Sequence, residues 1–421
     1  AICKWSWYLY NLGMKKIMKI RNPIIDLFAG CGGLSLGLEQ AGFTPVYVNE
    51  LNQDALNTYL INRKHLPHLS EKDFHSNDIF EITSSNKLLE KLSNNLNKKF
   101  NIKKGDISLI VGGPPCQGYS GIGHRRNYSV DKKLIPSNYL YKEMHKMINF
   151  FQPKGFIFEN VRGLLSARWT KNGEKGEIFK DVLKQFNSLK NYKIQHKLLQ
   201  SKDYGVPQNR PRVLIIGIRN DVALEQDFFP LADKSYPHPE DLFSDLIDTN
   251  YAKNLITKKY LSNAKNEIQI NLRDSLSKKG DVLTEQEYSK HAEMVIEKFK
   301  YMILNKGEIP KKFKTKKFAQ RVLPKKWGLN GPNITATSLP DDYVHYSQPR
   351  SLTVREWARL QMFPDTYQFT GKRTTGGIRR AGNPKKGIFD REVPKYTQIG
   401  NAVPVELARR VGMNLKKFMS K

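Results

Sequence analysis

The chain has 421 residues, enough for two domains, and its 39% hydrophobic and 11% aromatic content excludes a disordered polymer. A formal net charge of +30 calls for a polyanionic partner. Nucleic acid comes first, and an anionic membrane surface second, without a basic amphipathic helix to support it. The cysteines, Cys3, Cys31 and Cys116, are too few and too far apart for a disulfide framework or a zinc site, so no metal is expected and a reducing cytoplasm is the natural compartment.

The opening stretch AICKWSWYLYNLG, residues 1–13, is too short and polar-broken to span a membrane. It reads as sequence upstream of a natural start at Met14, and residues 1–19 as an extension outside the core. No later apolar run is long enough to cross a membrane. Abundant Lys, Asn and Ile fit an A+T-rich coding sequence, so part of the positive charge is solvated surface.

Strand-like and helix-like patches then alternate up to about residue 219. IIDLF (24–28), PVYVN (45–49), ISLIVGG (107–113), GFIFEN (155–160), YKIQHKLL (192–199) and RVLIIGIR (212–219) read as strands. Most are apolar on both faces, as buried parallel strands are. Between them NYLYKEMHKMINFF (138–151) carries Leu140, Met144, Met147, Ile148 and Phe151 at helical spacing. The alternation predicts an α/β fold, a doubly wound, Rossmann-like sheet with helices on both faces.

The first strand runs into AGCGG and a helix. Gly30 and Gly32 let the backbone approach a ligand, and a helix start adds donors. The third glycine of a dinucleotide fingerprint would fall at Ser35, which argues against a pyrophosphate. Glu50 follows the second strand, where a carboxylate takes ribose hydroxyls, and Asp78 is placed to hydrogen-bond an adenine amine. A tight first turn with no ligand would show the same glycines. A nucleoside without a pyrophosphate points to S-adenosylmethionine.

IVGGPPCQGYS places Cys116 in a rigid turn after the third predicted strand. FENVRGLL places Glu159 and Asn160 at the end of the next, and adjacent parallel strands bring such ends together. YGVPQNRPRV adds Gln208, and Arg210 and Arg212 on either side of Pro211, so that both arginines point the same way if the segment is extended. A thiol, a proton-bearing carboxyl and two arginines suit attack on a pyrimidine. Thiolate addition at C6, with a proton at N3, makes C5 nucleophilic enough to take a methyl group from a sulfonium. Singly, each feature has a plain structural explanation: a small buried thiol, a turn, a surface pair.

From about 220 to 350 lysines crowd together and the alternation fades. LTVREWARLQMF (352–363) reads as an amphipathic helix capped by Thr353 with Glu356 completing a capping box. TGKRTTGGIRRAGNPKKG (370–387) is a basic, glycine-rich loop, and PVELARRVGMNLKKFM (404–419) a final helix.

Taken in order, DLFAGCGGLSLGLEQAGF, GGPPCQGYS, FENVRGLL, YGVPQNRPRVLIIGIR, RSLTVREWARLQMFPD and YTQIGNAVPVELA resemble the ordered motifs of the DNA cytosine-5 methyltransferases of prokaryotic restriction-modification systems. The resemblance spans about 22–412 except 220–345. It implies Cys116 as nucleophile, Glu159 as the acid at N3, and Arg210 and Arg212 as supports for the cytosine and the catalytic loop. It implies S-adenosylmethionine contacts from Phe28, Gly30, Gly32, Glu50, Asp78, Ile79, Pro114, Asn401 and Val403. Gln117 and Ser120 match loop positions near the DNA, with Arg125 and Arg126 near phosphates. Thr335 and Thr337 match a short Thr-containing stretch that ends the recognition region. The implied organisation is a catalytic domain over 20–230 completed by 395–421, and a smaller target-recognition domain over 231–394.

The expected substrate is a cytosine flipped from a short specific site in double-stranded DNA, the expected state a monomer, and the expected companion a restriction endonuclease acting on the same site. A tRNA cytosine-5 methyltransferase and an inactive DNA-binding relative are the alternatives; Ser35 excludes an NAD-dependent oxidoreductase. Two departures stand out. Leu51 sits where some members carry an aromatic residue, and the insert 370–394, with Arg379 and Arg380, is long and basic enough to grip a DNA backbone.

Overall fold

The computed structural model describes residues 20–115, 133, 135–224, 226–233, 235–314, 320–327, 331–334, 342–376, 379 and 391–419. The predicted positions Cys116, Gln117, Ser120, Arg125, Arg126, Thr335, Thr337 and Arg380, and the stretch 1–13, lie outside the described residues.

The first half opens with strand β1 (Pro23–Leu27), helix α1 (Gly33–Gln40), β2 (Thr44–Asn49), α2 (Gln53–Ile61) and a two-residue β3 (His75–Ser76). It continues through α3 (Asn86–Phe100), β4 (Leu109–Gly112), α4 (Tyr141–Phe151), β5 (Gly155–Val161), α5 (Glu177–Asn187), β6 (Tyr192–Gln200) and β7 (Pro211–Arg219). The seven strands form one sheet in the order β3-β2-β1-β4-β5-β7-β6. All six predicted strands are present. β3 was not foreseen, because two residues carry no periodicity.

The sheet is mixed. β1, β2, β3, β4 and β5 pair in parallel, whereas β7 runs antiparallel to both β5 and β6. This reversal matters for chemistry: the start of β7 lies beside the end of β5, with Val161 paired to Arg212 and Glu159 to Leu214.

Local signals explain the helices. Asn52 caps α2 by accepting the Ala55 N–H, and Ser85 caps α3 through Leu88. α3 buries Leu89, Leu92, Leu96 and Phe100, a stripe at helical spacing, against one sheet face. α4 adds Met144, Met147, Ile148 and Phe151 to the same core. The other face is covered by α1 and by the last helix.

The second half carries α6 (Glu293–Leu304), a two-stranded pair β8 (Arg321–Val322) and β9 (Tyr343–Val344), then α7 (Val354–Leu360), α8 (Lys395–Asn401) and α9 (Val405–Lys416). α9 returns to the first half, where Leu407, Ala408, Val411 and Leu415 pack with Leu34 and Leu38 of α1.

The capping box of Thr353 and Glu356 forms as expected. The amphipathic reading of 352–363 is corrected: every residue of α7 is buried. Its charges face ionic partners, near and distant in sequence, instead of water. Arg359 lies between Asp245 and Asp365, and Arg350 pairs with Glu356. A buried charge is tolerated only when paired in this way.

Candidate active site

The glycine turn is built by positive-φ residues. Phe28 has φ 56°, Gly30 φ 57° and Gly32 φ 86°, which swings the chain from β1 into α1. The Gly32 N–H closes the turn on the Ala29 carbonyl at 3.0 Å. Among the described residues a Cβ placed on Gly30 would meet nothing within 4 Å, so open space lies beside this backbone. Glu50 spans the turn: its Oε2 accepts the Gly30 N–H and its Oε1 the Asn52 N–H, both at 2.8 Å. Burial raises the Glu50 carboxyl pKa, and the two backbone N–H groups oppose that. Each carboxylate oxygen keeps a further lone pair for a ribose hydroxyl.

β3 supplies the next wall. The Glu50 N–H reaches the Ser76 carbonyl at 3.1 Å, and Asn77 Nδ2 reaches the Glu50 carbonyl at 3.2 Å. Asp78 is exposed just beyond, its Oδ1 accepting the Phe80 N–H at 3.0 Å, while Ile79 is buried in the core. Leu51 is 72% exposed and Phe80 47%, leaving two apolar side chains at this rim. These residues fit a nucleoside: a turn open to a ligand, a carboxylate held by backbone, and apolar surface beside it. Asn401, at the end of α8, is exposed; Val403 is buried with Leu34 and Leu38 of α1.

The second half of the site lies at the ends of β4 and β5. Asn160 Nδ2 donates to the Pro114 carbonyl at 3.3 Å, tying the Pro114–Pro115 turn to β5. Glu159 is 8% exposed, and Arg212 Nε lies 2.6 Å from its Oε1. A Cβ on Gly113 would sit 2.7 Å from Glu159 Oε2, so only glycine leaves the carboxyl its place. Burial raises the Glu159 pKa, while Arg212 and Arg210 pull it back. A carboxyl so placed holds a proton more readily than an exposed one.

Arg210 and Arg212 do not share a target. Arg212 serves Glu159. Arg210 is buried, and its guanidinium donates to the backbone carbonyls of Ile334, Gly400 (2.6 Å) and Ala402 (3.1 Å). Burial, with Arg212 nearby, pushes the Arg210 pKa down, and Glu159 counters. Gln208, which the sequence sets beside the two arginines, joins the same network, as does Gln361, which no sequence signal singled out. Arg379 is exposed, 3.8 Å from Glu392, so the basic insert carries an acid of its own.

The fold is that of an α/β methyltransferase, with Glu159 held by Arg212 beside the Pro114–Pro115 turn. Residues 23–417 match the family of C-5 cytosine-specific DNA methylases. The chain belongs to that family and is a DNA cytosine-5 methyltransferase; membership implies S-adenosylmethionine as methyl donor and DNA as substrate. It is 30% identical over 413 residues to the Type II methyltransferase M.DdeI of Desulfomicrobium norvegicum, covering 94% of this chain and 88% of the relative. It is 28% identical to the Type II methyltransferase M.BspRI of Lysinibacillus sphaericus, covering 94% and 81%. In fold it is similar to a solved protein encoded within an E. coli prophage, with TM-score 0.65 and 22% identity, covering 95% of this chain and 100% of that one. Among the described residues no helix is long and apolar enough to cross a membrane.

Proposed function

We propose that this enzyme methylates C5 of a cytosine flipped out of one short duplex sequence, through a covalent bond between Cys116 and C6. The observation that carries the reading is the buried Glu159–Arg212 pair at the end of β5, beside the Pro114–Pro115 turn that leads to Cys116.

The chemistry follows from the groups present. Cys116 Sγ, as thiolate, forms a bond to C6 of the base, and the C5–C6 π electrons move into the ring. Glu159 gives or shares a proton at N3, so that negative charge does not build up there. C5, now an enamine carbon, bonds to the methyl group. S-adenosylmethionine, when bound, supplies that methyl from its sulfonium. The N3 proton returns to Glu159, and loss of the C5 proton to solvent restores the double bond and expels the Cys116 thiolate, which splits one hard step into easier ones. Arg212 orients Glu159 and limits how far burial raises its pKa.

Phe28, Gly30, Gly32, Glu50, Asp78, Ile79, Pro114, Asn401 and Val403 form the cofactor site in this reading. Residues 20–230 with 395–421 make the catalytic domain, and 231–394 the target-recognition domain. Gln117, Ser120, Arg125, Arg126, Thr335, Thr337, Arg379 and Arg380 meet the DNA. The enzyme acts as a monomer in the cytoplasm and protects host DNA from a companion endonuclease.

The test is expression in a host lacking cytosine methylation, beside Cys116→Ala, followed by conversion sequencing of the host genome. Methylation at one short motif, lost in the variant, is the expected result. A folded, cofactor-binding protein that leaves DNA unmethylated would turn the reading to an RNA substrate or an inactive DNA-binding relative.

A further inference from the structure

We infer that Gln208, Arg210 and Gln361 act as positioning residues that couple DNA recognition to cofactor binding; the inference rests on the DNA-methylating function proposed above. Gln208 and Gln361 are fully buried, and Arg210 is 1% exposed. Their side chains join four segments far apart in sequence. Gln208 Nε2 donates to the Leu360 carbonyl at 2.5 Å and to Gln361 Oε1 at 2.9 Å. Gln361 Nε2 donates to the carbonyls of Ile399 at 2.8 Å and Ala402 at 3.2 Å.

Ile334 is the last described residue before Thr335, and both of its backbone polar groups are held here. Its N–H donates to Gln208 Oε1 at 3.2 Å, and its carbonyl accepts from Arg210 Nη1. On the other side Arg210 Nη2 takes the carbonyls of Gly400 and Ala402, the two residues that flank Asn401. One guanidinium therefore bridges the start of the proposed recognition stretch and the proposed cofactor segment. Two residues further on, Arg212 holds Glu159.

Such a network has little slack. Each amide has its Nε2 and Oε1 engaged, and a buried amide left without partners is costly. A displacement of Ile334 must be met by Arg210 or Gln208, and theirs by residues 399–402. Ordering of either end lowers the cost of ordering the other, which is a coupling free energy between two sites. Adjacency alone does not establish coupling, so the test measures it directly.

The affinity of the full chain for a duplex carrying its methylated motif is measured with and without S-adenosylhomocysteine. The parent is expected to bind DNA about tenfold tighter with it, within the usual range of such couplings. Gln361→Met keeps the length and removes the hydrogen bonds, and its ratio is expected to fall below about twofold. Gln286→Met is the structural control: Gln286 is equally buried and accepts the Thr353 hydroxyl at 2.8 Å, at the opposite end of α7 from Gln361. It should keep the parent's ratio.

A Gln361→Met ratio equal to the parent's overturns the inference, as does equal loss in Gln286→Met. If Gln361→Met does not fold, amide exchange at Ile334 in the parent decides. Slowing by S-adenosylhomocysteine supports the coupling, and unchanged exchange overturns it. A parent that methylates DNA but shows no coupling sinks this inference alone, whereas one that methylates no DNA sinks the functional reading beneath it.

Discussion

Arg212 Nε lies 2.6 Å from Glu159 Oε1, and both side chains are about nine-tenths buried. The contact exists because β7 runs antiparallel to β5, which sets the start of one strand beside the end of the other. The remaining carboxyl oxygen fills the space that a Cβ on Gly113 would need. Acid, arginine and glycine therefore form one unit.

That unit predicts two separable losses. Glu159→Gln removes the proton donor and should lower kcat by about 10²- to 10⁴-fold while S-adenosylhomocysteine still binds. Gly113→Ala places a methyl group against Oε2 and should lower kcat in the same direction, again with cofactor affinity kept. Steady-state kinetics beside calorimetric titration of S-adenosylhomocysteine checks both. The raised Glu159 pKa also sets a sign: the acid form is lost as pH rises, so the parent's alkaline limb should lie above the ordinary carboxylate range.

Glu50 predicts the converse. Glu50→Gln keeps the shape but sets an amide where the carboxylate accepts the Gly30 and Asn52 N–H groups. Loss of hydrogen bonds to a charged acceptor is worth about 1.5–3 kcal/mol, so S-adenosylhomocysteine affinity should fall at least about tenfold. Unchanged affinity would remove Glu50 from the cofactor site.

Asp26 predicts a pH-dependent stability. It is buried behind the glycine turn, bonded to the Ser35 hydroxyl, and Ser35 in turn lies 2.9 Å from the Tyr59 hydroxyl. Burial pushes its pKa from 3.8 up to about 7, with Ser35 the strongest opposing group. The folded state therefore holds the proton more tightly than the unfolded state. The stability this adds is complete below pH 3.8 and lost as pH rises through about 7. Asp26→Asn does not titrate. Relative to the variant, the parent should lose on the order of 4 kcal/mol across that window. Denaturant unfolding at pH 5 and pH 8 reads most of that change, and a constant difference between the two proteins would refute it.

The basic insert predicts a change in salt dependence. Arg379→Ala with Arg380→Ala should reduce the slope of log affinity against log salt by up to about two phosphate contacts. Glu392 already lies 3.8 Å from Arg379, so the smaller share of the effect is expected from Arg379. Filter binding at several salt concentrations gives the slope, and an unchanged slope removes the insert from the DNA interface.

What the sequence determined by itself was everything carried by local pattern. Apolar runs marked six strands, the Thr353–Glu356 spacing marked a helix start, and the ordered motifs marked the chemistry. Each strand run, cap and motif is contained within a short stretch, where sterics and hydrogen bonding act without the rest of the chain. Tertiary structure decided the remainder. Strand direction is not written in periodicity, so the reversal of β7 that joins Arg212 to Glu159 had to come from the folded sheet. The charges of α7 look like a solvent face until Asp245 arrives from a distant segment and the chain turns Asp365 back onto Arg359. The sequence names no partner for Arg210, and only the fold sets the carbonyls of Ile334, Gly400 and Ala402 around its guanidinium. In each case at least one deciding partner is more than a hundred residues away or on another strand, and a charge's role depends on which partner desolvates it.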